Sequence, residues 1–280
     1  MRDILRDLSG ELSDPDPVRR AQIQMKRPLP KRFYKDVSVA PSEGGLAVLL
    51  DGRPVRTPAK KLLAVAEPKI AERLRAEWDG QGEMIDPATM PVTRLVNTAL
   101  DGVADNRAAV LEEIVSFAGT DMICYRADSP EGLVERQRAG WDPVLRWAAD
   151  SRGARFILAE GVIHQTQPAP AIDAFRAALQ AYGEPLPLAC LHTVTTLTGS
   201  AVLALALAEG HLDADRLWDL AHIDEDWQIE QWGTDEEAFH RRSLRRREFD
   251  VAAGVLADIT STPSSRRRIP PDIQPLIPGP

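Results

Sequence analysis

The residues best placed to do chemistry together are His222, Asp224, Glu225 and Asp226, gathered within the run His222-Ile223-Asp224-Glu225-Asp226. A histidine beside three carboxylates is the donor set of a divalent-metal site, and a metal held there could activate water for hydrolysis of a small molecule. On a helix, only side chains three or four positions apart converge. His222 could therefore share an ion with Glu225 or Asp226, and two further ligands have no candidate. Other catalytic patterns are missing: the sequence holds no GxxxxGK[ST] phosphate loop and no GxGxxG after a strand, and Thr198-Gly199-Ser200 is only half of a nucleophile elbow. Cys124 and Cys190 belong to no CxxC or Cys/His pair. Their apolar neighbours mark them as small buried hydrophobes, which fits a reducing compartment. His192, in an apolar stretch, reads as a hydrogen-bonded core residue. The expectation is a chain without catalytic residues, metal or cofactor.

Recognition is the better-supported chemistry, and it centres on Trp218 to Gly233. Read as one continuous helix, this segment puts Trp218, Ala221, Glu225, Gln228 and Trp232 on one stripe, with Leu217, Leu220 and Trp227 beside it. A carboxylate then lies between two indoles. Removing the partner of a buried charge costs about 3–5 kcal/mol. Glu225 should thus either pair with an arginine, for which Arg94 and Arg126 are candidates, or stand at the mouth of a groove. The first alternative locks two helices together, and the second anchors a protein ligand. Trp78, Trp141 and Trp147 read as core aromatics.

The elements that must position these residues fall into two groups, giving an α+β fold. From Phe33 to Val65 the pattern is β: an alternating segment to Val39, a turn at Gly44-Gly45, an apolar run Leu46–Leu50, a hairpin turn at Asp51-Gly52, a return over Arg53–Arg56, and a further strand over Leu62–Val65. Pro68 opens a helix through Trp78. From Pro91 the reading is helical. Leu111, Ile114, Val115 and Ala118 keep helical spacing. Asp142-Pro143 starts a helix over Trp141–Ala149, and Ile172–Ala181 forms another. Leu188–Ala208, with no Lys, Arg, Asp or Glu, reads as one buried helix whose hydroxyls bond back to helix carbonyls rather than as a membrane span. Asp213 caps a helix running to Trp232, and Thr234 with Glu237 forms a capping box for the last helix, to about Ala257. The expected organisation is a mobile N-terminal arm at 1–29, a small α+β domain at 30–88, a helical domain at 89–258, and a Pro/Arg-rich tail at 259–280.

Charge narrows the partner class. The chain has 34 Lys and Arg against 42 Asp and Glu, a net charge of −8. Phosphate-tracking surfaces need the opposite balance, so nucleic acid is not an expected partner, and no membrane insertion is expected. The N-terminus has neither an apolar signal core nor the acid-poor composition of a transit peptide.

The ordered set of short motifs carries a resemblance. Arg32-Phe33-Tyr34-Lys35, Leu50-Asp51-Gly52-Arg53-Pro54-Val55, Thr57-Pro58, Glu77-Trp78-Asp79-Gly80-Gln81 and Met90-Pro91 come first. Arg94 to Thr98, Asp121 to Arg126, Gln137, Trp141-Asp142-Pro143, Trp147-Ala148, Asp224 to Gln228 and Gln231-Trp232-Gly233 follow. Over residues 32–257 the chain resembles the assembly chaperones that hold the alpha subunit of F-type ATP synthase. The resemblance implies a small α+β domain joined to a helical one, and the unassembled alpha subunit as partner. It also implies a bacterial, cytoplasmic member and a functional role for Glu225. The expected partner-binding residues are Glu225, Asp224, Asp226, Trp227, Gln228, Trp232 and Arg94. A metal-assisted hydrolase and an interaction module for another protein are the alternatives.

Overall fold

The β signal near the N-terminus resolves into an antiparallel sheet. The computed structural model describes residues 29–160 and 165–261; the arm up to residue 28, His164 and the tail from residue 262 lie outside them. Strand β1 (Val37–Ser42) pairs with β2 (Gly45–Leu50), Val37 opposite Leu50 and Ser42 opposite Gly45. The short strands β3 (Arg53–Pro54) and β4 (Ala64–Val65) also pair with β2. Asp51 and Gly52 both have positive φ, 47° and 76°, the backbone twist a two-residue hairpin loop requires. Gly45 has φ 124°, and a Cβ there would lie 2.4 Å from the Val65 carbonyl oxygen, so only glycine admits the β2–β4 approach.

Helix α1 (Pro68–Asp79) buries Ile70, Ala71, Leu74 and Trp78. Its C-terminal carbonyls, which a helix cannot satisfy itself, are taken up by the motif residues. The Arg32 guanidinium donates to the carbonyls of Asp79 and Gln81, and the Tyr34 hydroxyl donates to that of Trp78 at 2.6 Å. The Gln81 amide donates to the Glu77 carbonyl and accepts from the Asp86 N–H. Glu77 in turn caps helix α2 (Pro91–Thr98): its carboxylate accepts from the N–H groups of Val92 and Thr93 and from the Thr93 hydroxyl, each at 2.7 Å. Glu77→Ala is therefore expected to cost about 2 kcal/mol of stability and Glu77→Gln about half of that, read from denaturant midpoints.

The described residues group into two compact units: residues to Arg107 with Glu184–Cys190, and Ala108–Gly183 with residues from Leu191 on. The second unit holds α3 (Arg107–Gly119, from its second residue), α4 (Glu131–Arg152) and α5 (Ala169–Leu179). Helix α6 (Pro185–Thr198) begins in the first unit and ends in the second. Helices α7 (Ala201–Ala208), α8 (Ala214–Ala221), α9 (Ile223–Trp232) and α10 (Glu236–Ser261) complete the second unit. A two-residue parallel pair, β5 (Tyr125–Arg126) with β6 (Ala159–Glu160), lies among them. The fold is α+β, a small antiparallel sheet and ten α-helices among the described residues. No described helix is long and apolar enough to cross a membrane.

Four helix boundaries differ from the sequence reading. Helix α4 does not start at Asp142-Pro143; it runs through Pro143 from Glu131. Its buried stripe, Gln137, Gly140, Trp141, Val144 and Ala148, passes the proline unbroken while Pro143 faces solvent. Packing of that stripe outweighs the roughly 3 kcal/mol an interior proline costs. The apolar segment Leu188–Ala208 is two helices, α6 and α7, parted at Gly199 (φ 73°), with Ser200 capping α7 through the Leu203 N–H. Thr196 and Thr198 do bond back to the carbonyls of His192 and Val194. The last helix is capped by Asp235, whose carboxylate accepts from the Ala238 N–H, rather than by Thr234 with Glu237. The fourth difference, at His222, reshapes the candidate site.

Candidate partner-binding site

A continuous helix would give the Trp218 carbonyl to the backbone N–H of residue 222. Instead the His222 ring takes it, with Nδ1 at 2.8 Å, while its backbone N–H goes to the Asp219 carbonyl. A carbonyl only accepts, so Nδ1 carries the proton. His222 leaves helical geometry (φ −118°, ψ 18°), α8 ends and α9 starts in a new register. Burial pushes the His222 pKa below its ordinary value, and the ring stays neutral, packed 4.0 Å from the Trp218 ring centroid.

The break overturns the stripe that joined Trp218 and Ala221 to Glu225. Trp218 is buried in the second unit's core against Phe249, whereas along α9 Gln228 and Trp232 are exposed and Glu225, in register with them, is half-buried. The Glu225 side chain is 38% exposed, so the expectation of a carboxylate between two indoles on an apolar face is corrected. His222 Nε2 lies 3.9 Å from its carboxylate. Arg126 is not its partner: that guanidinium pairs with Asp142 at 2.9 Å and lies 5.2 Å over the Trp141 ring. Arg94 lies on α2, in the first unit.

The other expected residues hold α9 in place. The Asp224 carboxylate accepts from the Gln137 amide at 2.7 Å, and the Gln137 carbonyl oxygen accepts from the Ala127 N–H at 2.9 Å. Asp226 pairs with Arg242 of α10. Trp227 packs against α4, where a Cβ on Gly132 would come within 2.7 Å of its ring, and Arg136 sits 5.1 Å above that ring. Arg136 also donates two bonds to Glu230, at 2.7 and 2.8 Å, and this bond holds the Glu230 carboxyl below its usual range. Gly140 allows close packing, since a Cβ there would lie 2.7 Å from Ile223 Cδ1. Between α4, α8 and α9 a groove of about 520 Å³ remains, lined by Ala139, Gly140, Leu220, Ile223 and Ile229 and by the charged side chains of Arg136, Arg216, Asp219, Asp226 and Glu230.

The result is a ridge whose inner side is fixed by hydrogen bonds and whose outer side presents Glu225, Gln228 and Trp232. Trp232 is 79% exposed, and Phe239, in the first turns of α10, is 61% exposed. Tryptophan is enriched among the anchors of protein interfaces. Phe239 was missed in the sequence because its charged neighbours gave it no apolar stripe. Gln137 was visible as a motif residue but without its role. Among the described residues, no three His, Cys, Asp or Glu side chains converge as metal ligands.

Comparison with known proteins gives this ridge its setting. A family model described as the ATP12 chaperone protein matches residues 31–149. The crystal structure of Atu1473, a putative chaperone from Agrobacterium tumefaciens, shares 57% identity and a TM-score of 0.81, covering 92% of this chain and 97% of that one. The crystal structure of Atp12 from Paracoccus denitrificans shares 38% identity and a TM-score of 0.78, covering 82% of this chain and 98% of that one. The mitochondrial protein atp12 of Schizosaccharomyces pombe is 22% identical over 231 residues, 78% of this chain and 79% of its own length. At 38% identity across nearly the whole of an Atp12 structure, the chain belongs to the ATP12 chaperone family, the assembly chaperones of the ATP synthase.

Proposed function

We propose that this protein holds the unassembled alpha subunit of the ATP synthase through the outer face of α9 and masks the surface that alpha later buries against beta. The observation that carries the reading is the ridge itself: Trp232 projects into solvent from a helix whose opposite side is fixed by Gln137, Arg136 and Arg242. An anchor presented on a rigid element loses little conformational freedom on binding, which favours a specific protein contact. Glu225, Gln228 and Trp232 make the contact; Asp224, Asp226 and Trp227 set the helix that presents them. A subunit awaiting its neighbour exposes apolar area that invites aggregation, and a cover of at least about 1,000 Å² would shield it.

Release follows from competition. Beta offers alpha a larger and more favourable surface, so exchange needs only mass action. Added beta is expected to displace alpha from the purified complex on size exclusion, while ATP alone leaves the complex intact. Release by ATP without beta would contradict this mechanism.

A further inference from the structure

The client reading above leaves open the chemistry of the client's face, and the charges of the ridge bear on it. From residue 224 to residue 237, Asp and Glu hold seven of fourteen positions and Lys or Arg none. Asp224, Asp226, Glu230 and Glu237 are engaged by Gln137, Arg242, Arg136 and Arg241, and Asp235 caps α10. Glu225 and Glu236 remain, with no lysine or arginine within ion-pair distance among the described residues.

The tryptophans give an independent indication. In the second unit Arg126 lies 5.2 Å over Trp141, Arg136 lies 5.1 Å over Trp227 and Arg246 lies 5.4 Å over Trp218. Trp147 stacks on the His211 ring at 4.7 Å. Trp232 alone among this unit's described tryptophans has no such group over its ring, and it is the one that is 79% exposed. An indole face attracts a cation through its quadrupole, and nearby carboxylates strengthen that attraction. Glu225 lies two helical turns before Trp232 on the same side of α9, and Glu236 opens the next helix.

We propose that the client face received here is basic, with arginine or lysine side chains over the Trp232 indole and against Glu225 and Glu236. An acidic client segment would meet unpaired carboxylates of its own sign.

The test is the affinity of the full chain for purified alpha subunit, at about 50 and about 300 mM salt, where screening of exposed charges differs strongly. Wild type is expected to bind several-fold more weakly at the higher salt. Trp232→Ala should weaken binding roughly tenfold, the loss typical of an aromatic anchor. Glu225→Gln with Glu236→Gln should weaken it and flatten the salt dependence. Unchanged circular dichroism is expected for both variants, because all three side chains face solvent. Binding of alpha that ignores salt and both variants would overturn the basic face while leaving the client reading intact. Failure of wild type to bind alpha at all would remove the client reading, and this inference with it.

Discussion

Replacing Asp121 by alanine is expected to lower the stability of the protein by about 3 kcal/mol, a large share of what a domain possesses. Asp121 is fully buried, and its carboxylate accepts from the N–H of Ile123 at 3.2 Å and from the N–H of Val202 at 2.9 Å. The Ser200 hydroxyl and the Ala201 N–H also favour its charged form. One side chain therefore closes the turn at Met122–Cys124 and caps α7, a helix buried on nearly every side. Alanine would strand these donors in the core, where each costs about 1–3 kcal/mol. Burial pushes the Asp121 pKa up to about 6, despite the hydrogen bonds that pull it down. The folded state then holds the proton more tightly than the unfolded chain. The stabilising contribution of the neutral acid is complete below the ordinary carboxylate range and is lost as pH rises through about 6. Between pH 7 and pH 5 wild type should gain about 1 kcal/mol relative to Asp121→Asn, which cannot titrate. Denaturant midpoints across that range measure the difference, and parallel pH profiles would contradict it.

If the client face is basic as proposed, Glu225→Lys is expected to lower the affinity for the alpha subunit by about thirtyfold or more, since it replaces attraction by repulsion. The thermal midpoint should move little, because the side chain is 38% exposed and, among the described residues, has no lysine or arginine within ion-pair distance. Glu225→Asp, which keeps the charge, should retain most of the binding. If Glu225→Lys instead unfolds the protein and leaves the binding of its folded fraction intact, Glu225 has a structural role and not a contact role. Calorimetric titration beside a thermal melt separates these outcomes.

The strands and most helices were readable because their signals are local. Asp51-Gly52, Pro68 and Pro91 act through backbone geometry that no tertiary contact needs to supply. The break at His222 was not readable, because it depends on an imidazole outcompeting a backbone N–H for one carbonyl. Proline 143 misled in the opposite sense: its local rule yields to a buried stripe extending from Gln137 to Ala148. The division at Gly199-Ser200 was in plain view and was hidden only by the uninterrupted apolar composition around it. At the candidate site, the spacing of Glu225, Gln228 and Trp232 along α9 was legible, and their exposure was not. Exposure follows from which face of α9 meets α4, and that is set by Gly132 and Gly140, whose missing side chains carry no pattern. The motif residues also divide physically. Arg32, Tyr34, Glu77, Gln81 and Asp121 finish helix ends, whereas Glu225 and Trp232 finish none among the described residues.

The most direct test of the client reading is capture by the immobilised chain of free alpha subunit and, separately, of the assembled catalytic head of the ATP synthase. Retention of free alpha and no retention of the assembled head is the result expected if the ridge covers a surface that assembly buries. Equal retention of both would show that the surface it recognises stays open after assembly, and the masking account would be wrong.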